Sequence, residues 1–115
     1  MDIMEFYAPR SDYKVVLERF CGNEELLRRF LRKFPSDPTF GQLEEAVRSR
    51  DFQTMEIAAH TLKGVSANLG LDILRGCASD LVDALRRGER DQLDELFQKV
   101  REAYDRVTED LGKMD

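Results

Sequence analysis

Tryptophan is absent from these 115 residues, histidine occurs once, cysteine twice and proline three times. Each scarcity closes off a class of protein. One histidine and two distant cysteines, Cys21 and Cys77, cannot fill a metal site, and the cysteine spacing matches no zinc or redox motif. Free thiols acting as small hydrophobes in a reducing cytoplasm are expected, with a disulfide as the alternative. No apolar run approaches the roughly 20 residues of a membrane span. The start Met1-Asp2-Ile3-Met4-Glu5 lacks the basic opening and apolar centre of a signal peptide, so a cytoplasmic protein is expected. There is no glycine-rich phosphate loop, which argues against ATP binding by the chain itself, and no cofactor is expected. A basic patch is missing too. The net charge is −5, and Lys and Arg alternate with acids, as in Leu85-Arg86-Arg87-Gly88-Glu89-Arg90-Asp91. Nucleic acid is therefore not an expected partner.

What remains is a helical composition. Hydrophobic residues make up 42% and charged residues 36%, led by Leu, Glu, Arg, Ala and Asp, while strand-favouring types are sparse. The length suits one domain, residues 1–115. A first short helix is expected from Asp12 to Phe20, ending near Gly22. Asn23 is a good N-cap, followed by Glu24 and Glu25 where the helix dipole favours anions. Leu26, Leu27, Phe30, Leu31 and Phe34 then recur at helical spacing until Pro35 stops the helix. Asp37-Pro38 reads as an N-cap and first helical residue, Asp51 caps a longer helix to Asn68, and Gly70 stops it. Asp72 and Asp91 read as the caps of the last two helices, with Gly88 between them. Short connections make sequential helices antiparallel. The expected fold is all-α: an up-down four-helix bundle with two short N-terminal helices packed on it.

The helix from Asp51 carries the candidate chemistry. At about 100° per residue, Phe52, Met55, Ala58, Ala59, Leu62, Val65, Ser66 and Leu69 form one stripe. His60 falls on the opposite side, among Gln53, Glu56, Lys63, Gly64 and Ala67. Lys63, at i+3, can reach the space above the imidazole. Gly64, at i+4, costs about 1 kcal/mol relative to Ala in a helix interior, a cost accepted where something must approach the backbone closely. With Ala67 it leaves a shallow flat area beside the ring. Imidazole titrates near about 6.5, so its neutral form is available at neutral pH to attack an acyl phosphate in line. A lysine one turn away offsets the charge of the dianion it would then hold. A lone surface His with a nearby Lys is common and carries little weight by itself. Ile57, one turn earlier, is either an exposed apolar contact for a partner or a residue packed under another part of the chain.

The stretch Ala59-His60-Thr61-Leu62-Lys63-Gly64-Val65-Ser66-Ala67-Asn68-Leu69-Gly70 resembles the signature of the histidine phosphotransfer (HPt) family, Ala-His-x-Leu-Lys-Gly-x-(Ser/Ala)-x-x-Leu-Gly, at every position. Phe20 to Leu27 resembles the family's N-terminal helix pair, and Leu43 to Ala46 with Arg50 to Phe52 its lead into the histidine helix. The resemblance implies a four-helix bundle that passes phosphoryl between aspartates of receiver domains. His60 would be the phosphoacceptor, Lys63 its charge partner and Gly64 the clearance for docking. Implied partners are response-regulator receiver domains or a hybrid sensor histidine kinase, with Gln53, Glu56, Ile57, Ala67 and Arg86 as candidate docking residues. The chain would act as a monomeric carrier without kinase activity of its own, and the Met1 start and short tail fit a free-standing protein. A departure concerns Val82, which follows Leu81 where the family often places a Gln or Glu facing the histidine. Arg86, one turn later, would either face the same site or be a solvated surface charge. The alternatives to a carrier are a receiver-binding adaptor of the same fold, which the intact His, Lys and Gly disfavour, a generic helical bundle with no phosphate chemistry, and the dimerisation hairpin of a sensor kinase. The hairpin would need an acid directly after the histidine, where Thr61 stands.

Overall fold

Caps and stop turns divide the chain into seven α-helices, and the computed structural model describes residues 1–115 throughout. They are α1 (Ile3–Tyr7), α2 (Tyr13–Arg19), α3 (Glu24–Lys33), α4 (Thr39–Ser49), α5 (Phe52–Asn68), α6 (Asp72–Arg86) and α7 (Leu93–Lys113), with a 3-10 turn at Phe34–Ser36. Asn23 Oδ1 accepts from the Leu26 N–H at 3.0 Å and Asp51 Oδ1 from the Thr54 N–H at 3.1 Å, as N-caps do. The Thr54 hydroxyl also donates to Asp51, and these bonds hold the Asp51 carboxyl below its usual range.

Three boundaries differ from the sequence reading. Leu71, not Asp72, occupies the N-cap of α6, because the turn ending α5 runs directly into it and leaves Asp72 as the first helical residue. Gln92, not Asp91, precedes α7 and makes no side-chain cap. Asp37 accepts from the Thr39 N–H at 2.8 Å, but Pro38 stands at the N-cap of α4. An additional helix, α1, opens the chain. Asp2 and Glu5 form a reciprocal capping box there, and five residues are too few for a periodic pattern to reveal it.

Helices α4 to α7 form the bundle, with α5 packed on both α4 and α6, and α6 on α7. Aromatic rings close the seam between α4 and α7. Phe40 stacks on Tyr104 at 4.1 Å between ring centres and on Phe97 at 5.8 Å. Beside them Arg101 pairs with Glu44 and lies over the Phe40 and Phe97 rings. The core is continuous from Ile3 to Val107, and no helix is long and apolar enough to cross a membrane. Cys21 and Cys77 are both free thiols, and burial pushes the Cys77 thiol up.

The N-terminal helices grip the end of α5. The Tyr7 hydroxyl, buried and pushed above its usual range by that burial, donates to the Leu69 carbonyl at 2.7 Å. Arg19 donates to the Ala67 carbonyl at 2.7 Å, placing a cation where the helix dipole is negative. Arg10, also buried, pairs with Asp110 of α7 at 2.6 Å. Between these contacts the chain leaves α5 through a Schellman motif: the Leu71 N–H donates to the Ser66 carbonyl at 2.8 Å and the Gly70 N–H to Ala67 at 3.2 Å. Gly70 has φ +69°, and a Cβ there would stand 2.3 Å from Val16 Cγ2 and 3.2 Å from Tyr7 Cε1. Backbone conformation and space both demand glycine. Gly70→Ala should therefore destabilise the protein by about 3 kcal/mol, from about 1–2 for left-handed strain and about 1–3 for overpacking. A chemical denaturation series checks this. A loss below about 1 kcal/mol would mean that α2 yields freely.

Candidate functional site: the open face of α5

Helix α5 has two unlike sides. Met55, Ala58, Ala59, Leu62, Ser66 and Leu69 are buried, and Phe52 and Val65 half-buried, along the expected stripe. The Ser66 hydroxyl is fully buried without a hydrogen-bond partner. On the other side Gln53, Ile57, His60, Thr61, Gly64 and Asn68 are exposed. Glu56, Lys63 and Ala67 are half-buried along one flank of this face, at successive spacings of seven and four residues. His60 thus stands at the middle of a 17-residue helix, with about two turns of backbone on either side of it. Its backbone position is fixed by packing beneath it while its ring faces outward.

The surroundings of His60 combine charge with open space. Lys63 lies three residues on, close enough for its ammonium to meet a group on the ring. At Gly64 a Cβ would find nothing within 4 Å, so this glycine is not required by packing inside the bundle. Ile57 is 61% exposed, which settles the two readings of its pattern in favour of a free apolar side chain beside the histidine. The Thr61 hydroxyl turns back onto the Ile57 carbonyl at 3.0 Å and is thereby withdrawn from the surface network.

From α6, Arg86 reaches across to Glu56, with Nε 3.4 Å from Oε2. Both side chains are about half exposed, at 52% and 41%. Arg86 is therefore paired at the edge of the histidine face, where the sequence left open a plain solvated charge. Val82 takes no part in the exposed surface around the histidine. It is fully buried in the core, because the 3.6-residue repeat of α6 turns it inward with Leu81 and Leu85. The position that often carries a polar residue in the resembled family is here an apolar core residue.

Two features near this face were not anticipated. Phe30, read as part of an apolar helical repeat, is 45% exposed and contacts the Phe20 ring. With Phe34, Val65 and Leu69 it borders a shallow cleft at the C-terminal end of α5. The Glu56–Arg86 pair spans 30 residues of sequence and leaves no local signal. None of the principal clefts is lined by His60. No group of three or more His, Cys, Asp or Glu side chains is arranged to hold a metal ion.

A family model described as Hpt domain matches residues 25–110. The chain is similar to the crystal structure of histidine-containing phosphotransfer protein B from Pseudomonas aeruginosa PAO1, with a TM-score of 0.80 and 26% identity, covering 92% of this chain and 94% of that one. No curated protein matches.

Gly64 separates packing from access in a measurable way. Because space is open there, Gly64→Ala should stabilise the fold by up to about 1 kcal/mol. Gly64→Gln should melt at or above the wild-type temperature and yet exchange phosphoryl slowly. Thermal melts and transfer rates on the same Gly64→Gln sample check this. A destabilised variant, or a stable one with undiminished transfer, would reject a clearance role.

Proposed function

Because the chain belongs to the histidine phosphotransfer (Hpt) domain family and so serves a phosphotransfer role in phosphorelays, we propose that His60 is the residue on which it carries phosphoryl. The observation that supports this most directly is the exposed ring of the chain's single histidine, mid-way along a helix whose opposite side is buried. A receiver domain would present its aspartyl phosphate to this face. An imidazole nitrogen of His60 attacks phosphorus in line, the phosphorus–oxygen bond to the aspartate breaks, and the carboxylate leaves with the electron pair. A second receiver reverses the step: its aspartate attacks the same phosphorus and the imidazole leaves. Lys63 offsets charge on the transferring group, and Gly64 leaves room for the receiver's backbone to approach.

Docking would use the same face. Ile57 offers an uncharged anchor close to the histidine, with Gln53 and Ala67 each two turns from the histidine and the charged Glu56 and Arg86 at the edge. Either a separate response regulator or the receiver of a hybrid sensor kinase supplies the required aspartate. The protein acts as a monomeric cytoplasmic carrier and uses no cofactor, since aspartyl phosphate already holds the activated group.

Incubation with a phosphorylated receiver should place an acid-labile, alkali-stable label on the wild type and none on His60→Gln. Equal labelling of the two would exclude His60, and receiver binding without any label would point to an adaptor. Lys63→Ala should slow transfer or shorten the phosphohistidine lifetime, with a stability change within about 0.5 kcal/mol. For the interface, Ile57→Asp should weaken receiver binding in a titration while His60 remains reactive. Full-strength binding by that variant would remove Ile57 from the docking surface.

A further inference from the structure

The ion pair between Glu56 and Arg86 stands where its two charges would act in opposite senses on anything bound to His60. Glu56 precedes His60 by four residues, which puts their Cβ atoms about 6 Å apart on one helix face. Arg86 approaches the same face from the neighbouring helix, with its Nε 3.4 Å from the Glu56 carboxylate. Half-exposed pairs of this kind contribute little and exchange partners readily. A phosphoryl dianion on His60 is a stronger acceptor for a guanidinium than one carboxylate, because it offers three oxygens to a planar fork of donors.

We propose that the Glu56–Arg86 pair is exchanged on phosphorylation: Arg86 leaves Glu56 for the phosphoryl oxygens of His60, and Glu56 competes for it in both states. The inference rests on His60 being the phosphoacceptor. Arg86 binds the phosphoryl group directly, and Glu56 acts through Arg86 as a positioning residue that limits how strongly phosphoryl is held. A carrier must release its cargo, so an arginine with a standing alternative partner suits it better than a free one. Lys63 on α5, Asp83 on α6 and Arg90, whose guanidinium lies over the Phe52 ring one turn before Glu56, also carry charge on or beside these elements, and all three are present in every variant below.

Phosphoramidate separates this inference from the identity of any receiver. In its reaction a His60 nitrogen forms a bond to phosphorus, the bond between phosphorus and the amide nitrogen breaks, and ammonia leaves with its electron pair. The second ionisation of the resulting phosphoryl group can be followed by phosphorus NMR across a pH series. A neighbouring cation favours the dianion, and a competitor for that cation opposes it. Arg86→Gln should therefore lower the acid dissociation constant of the phosphoryl group about two- to fivefold, the scale of an exposed charge pair, and Glu56→Gln should raise it by a similar factor. The double variant should resemble Arg86→Gln alone, since Glu56 acts through Arg86, and Arg86→Lys should fall between that variant and wild type. Wild-type protein that takes no label at His60 defeats the carrier reading and this inference with it. Labelled protein whose constant is the same in all variants leaves the carrier reading standing and overturns the exchange. An effect of Arg86→Gln without an opposite effect of Glu56→Gln also overturns it.

Discussion

The burial of one side of α5 is the constraint on which the rest of the molecule depends. An outward-facing imidazole is only as well placed as the helix beneath it. That helix is held along its length by α4 and α6, at its start by the Asp51 cap, and at its end by Gly70, Tyr7 and Arg19. Each restraint acts on the buried side or on the ends. The open face is left free of structural duties, so its residues can be small, charged or apolar according to what must approach them.

This division explains why the two glycines of the region play unlike parts. Gly70 is enclosed, in left-handed conformation, with side chains from α1 and α2 against it. Gly64 is helical and faces open space. A glycine stop after α5 could be anticipated from the chain itself, but the second demand on Gly70 comes from Val16 and Tyr7, far away in sequence. The same reasoning applies to Ser66. In sequence it is one more member of the core stripe, and only packing shows a hydroxyl buried with no partner.

Much of the site was legible because it lies on one helix. A period of 3.6 residues places His60 opposite the core whatever the remaining fold, and Lys63 and Gly64 follow by counting. The bundle was legible for a similar reason: Asn23, Asp51 and Gly70 mark boundaries by local chemistry. What escaped depends on relations between helices. Val82 turns inward by the exact phase of α6 on α5, Arg86 finds Glu56 across 30 residues, and Phe30 stays half-exposed because the N-terminal segments cover less of α3 than its pattern implies. The Asp72 and Asp91 boundaries failed for the opposite reason. At Asp72 the turn that ends α5 leaves the apolar Leu71 at the N-cap, and before α7 several polar residues share one turn, with Gln92 coming last.

The long-range clasp at the N-terminus bears on the order in which this chain assembles. Neighbouring helices of the bundle are consecutive in sequence, so their contacts close short loops and form quickly. Tyr7 meets Leu69 across 62 residues and Arg10 meets Asp110 across 100, which only a nearly complete bundle can bring together. Contacts of such span are costly to close early in folding, which favours late docking of the first twenty residues. The histidine face then survives partial opening at the far end of its own helix, and loss of the clasp is felt in lifetime of the fold before it is felt in the geometry of the exposed ring.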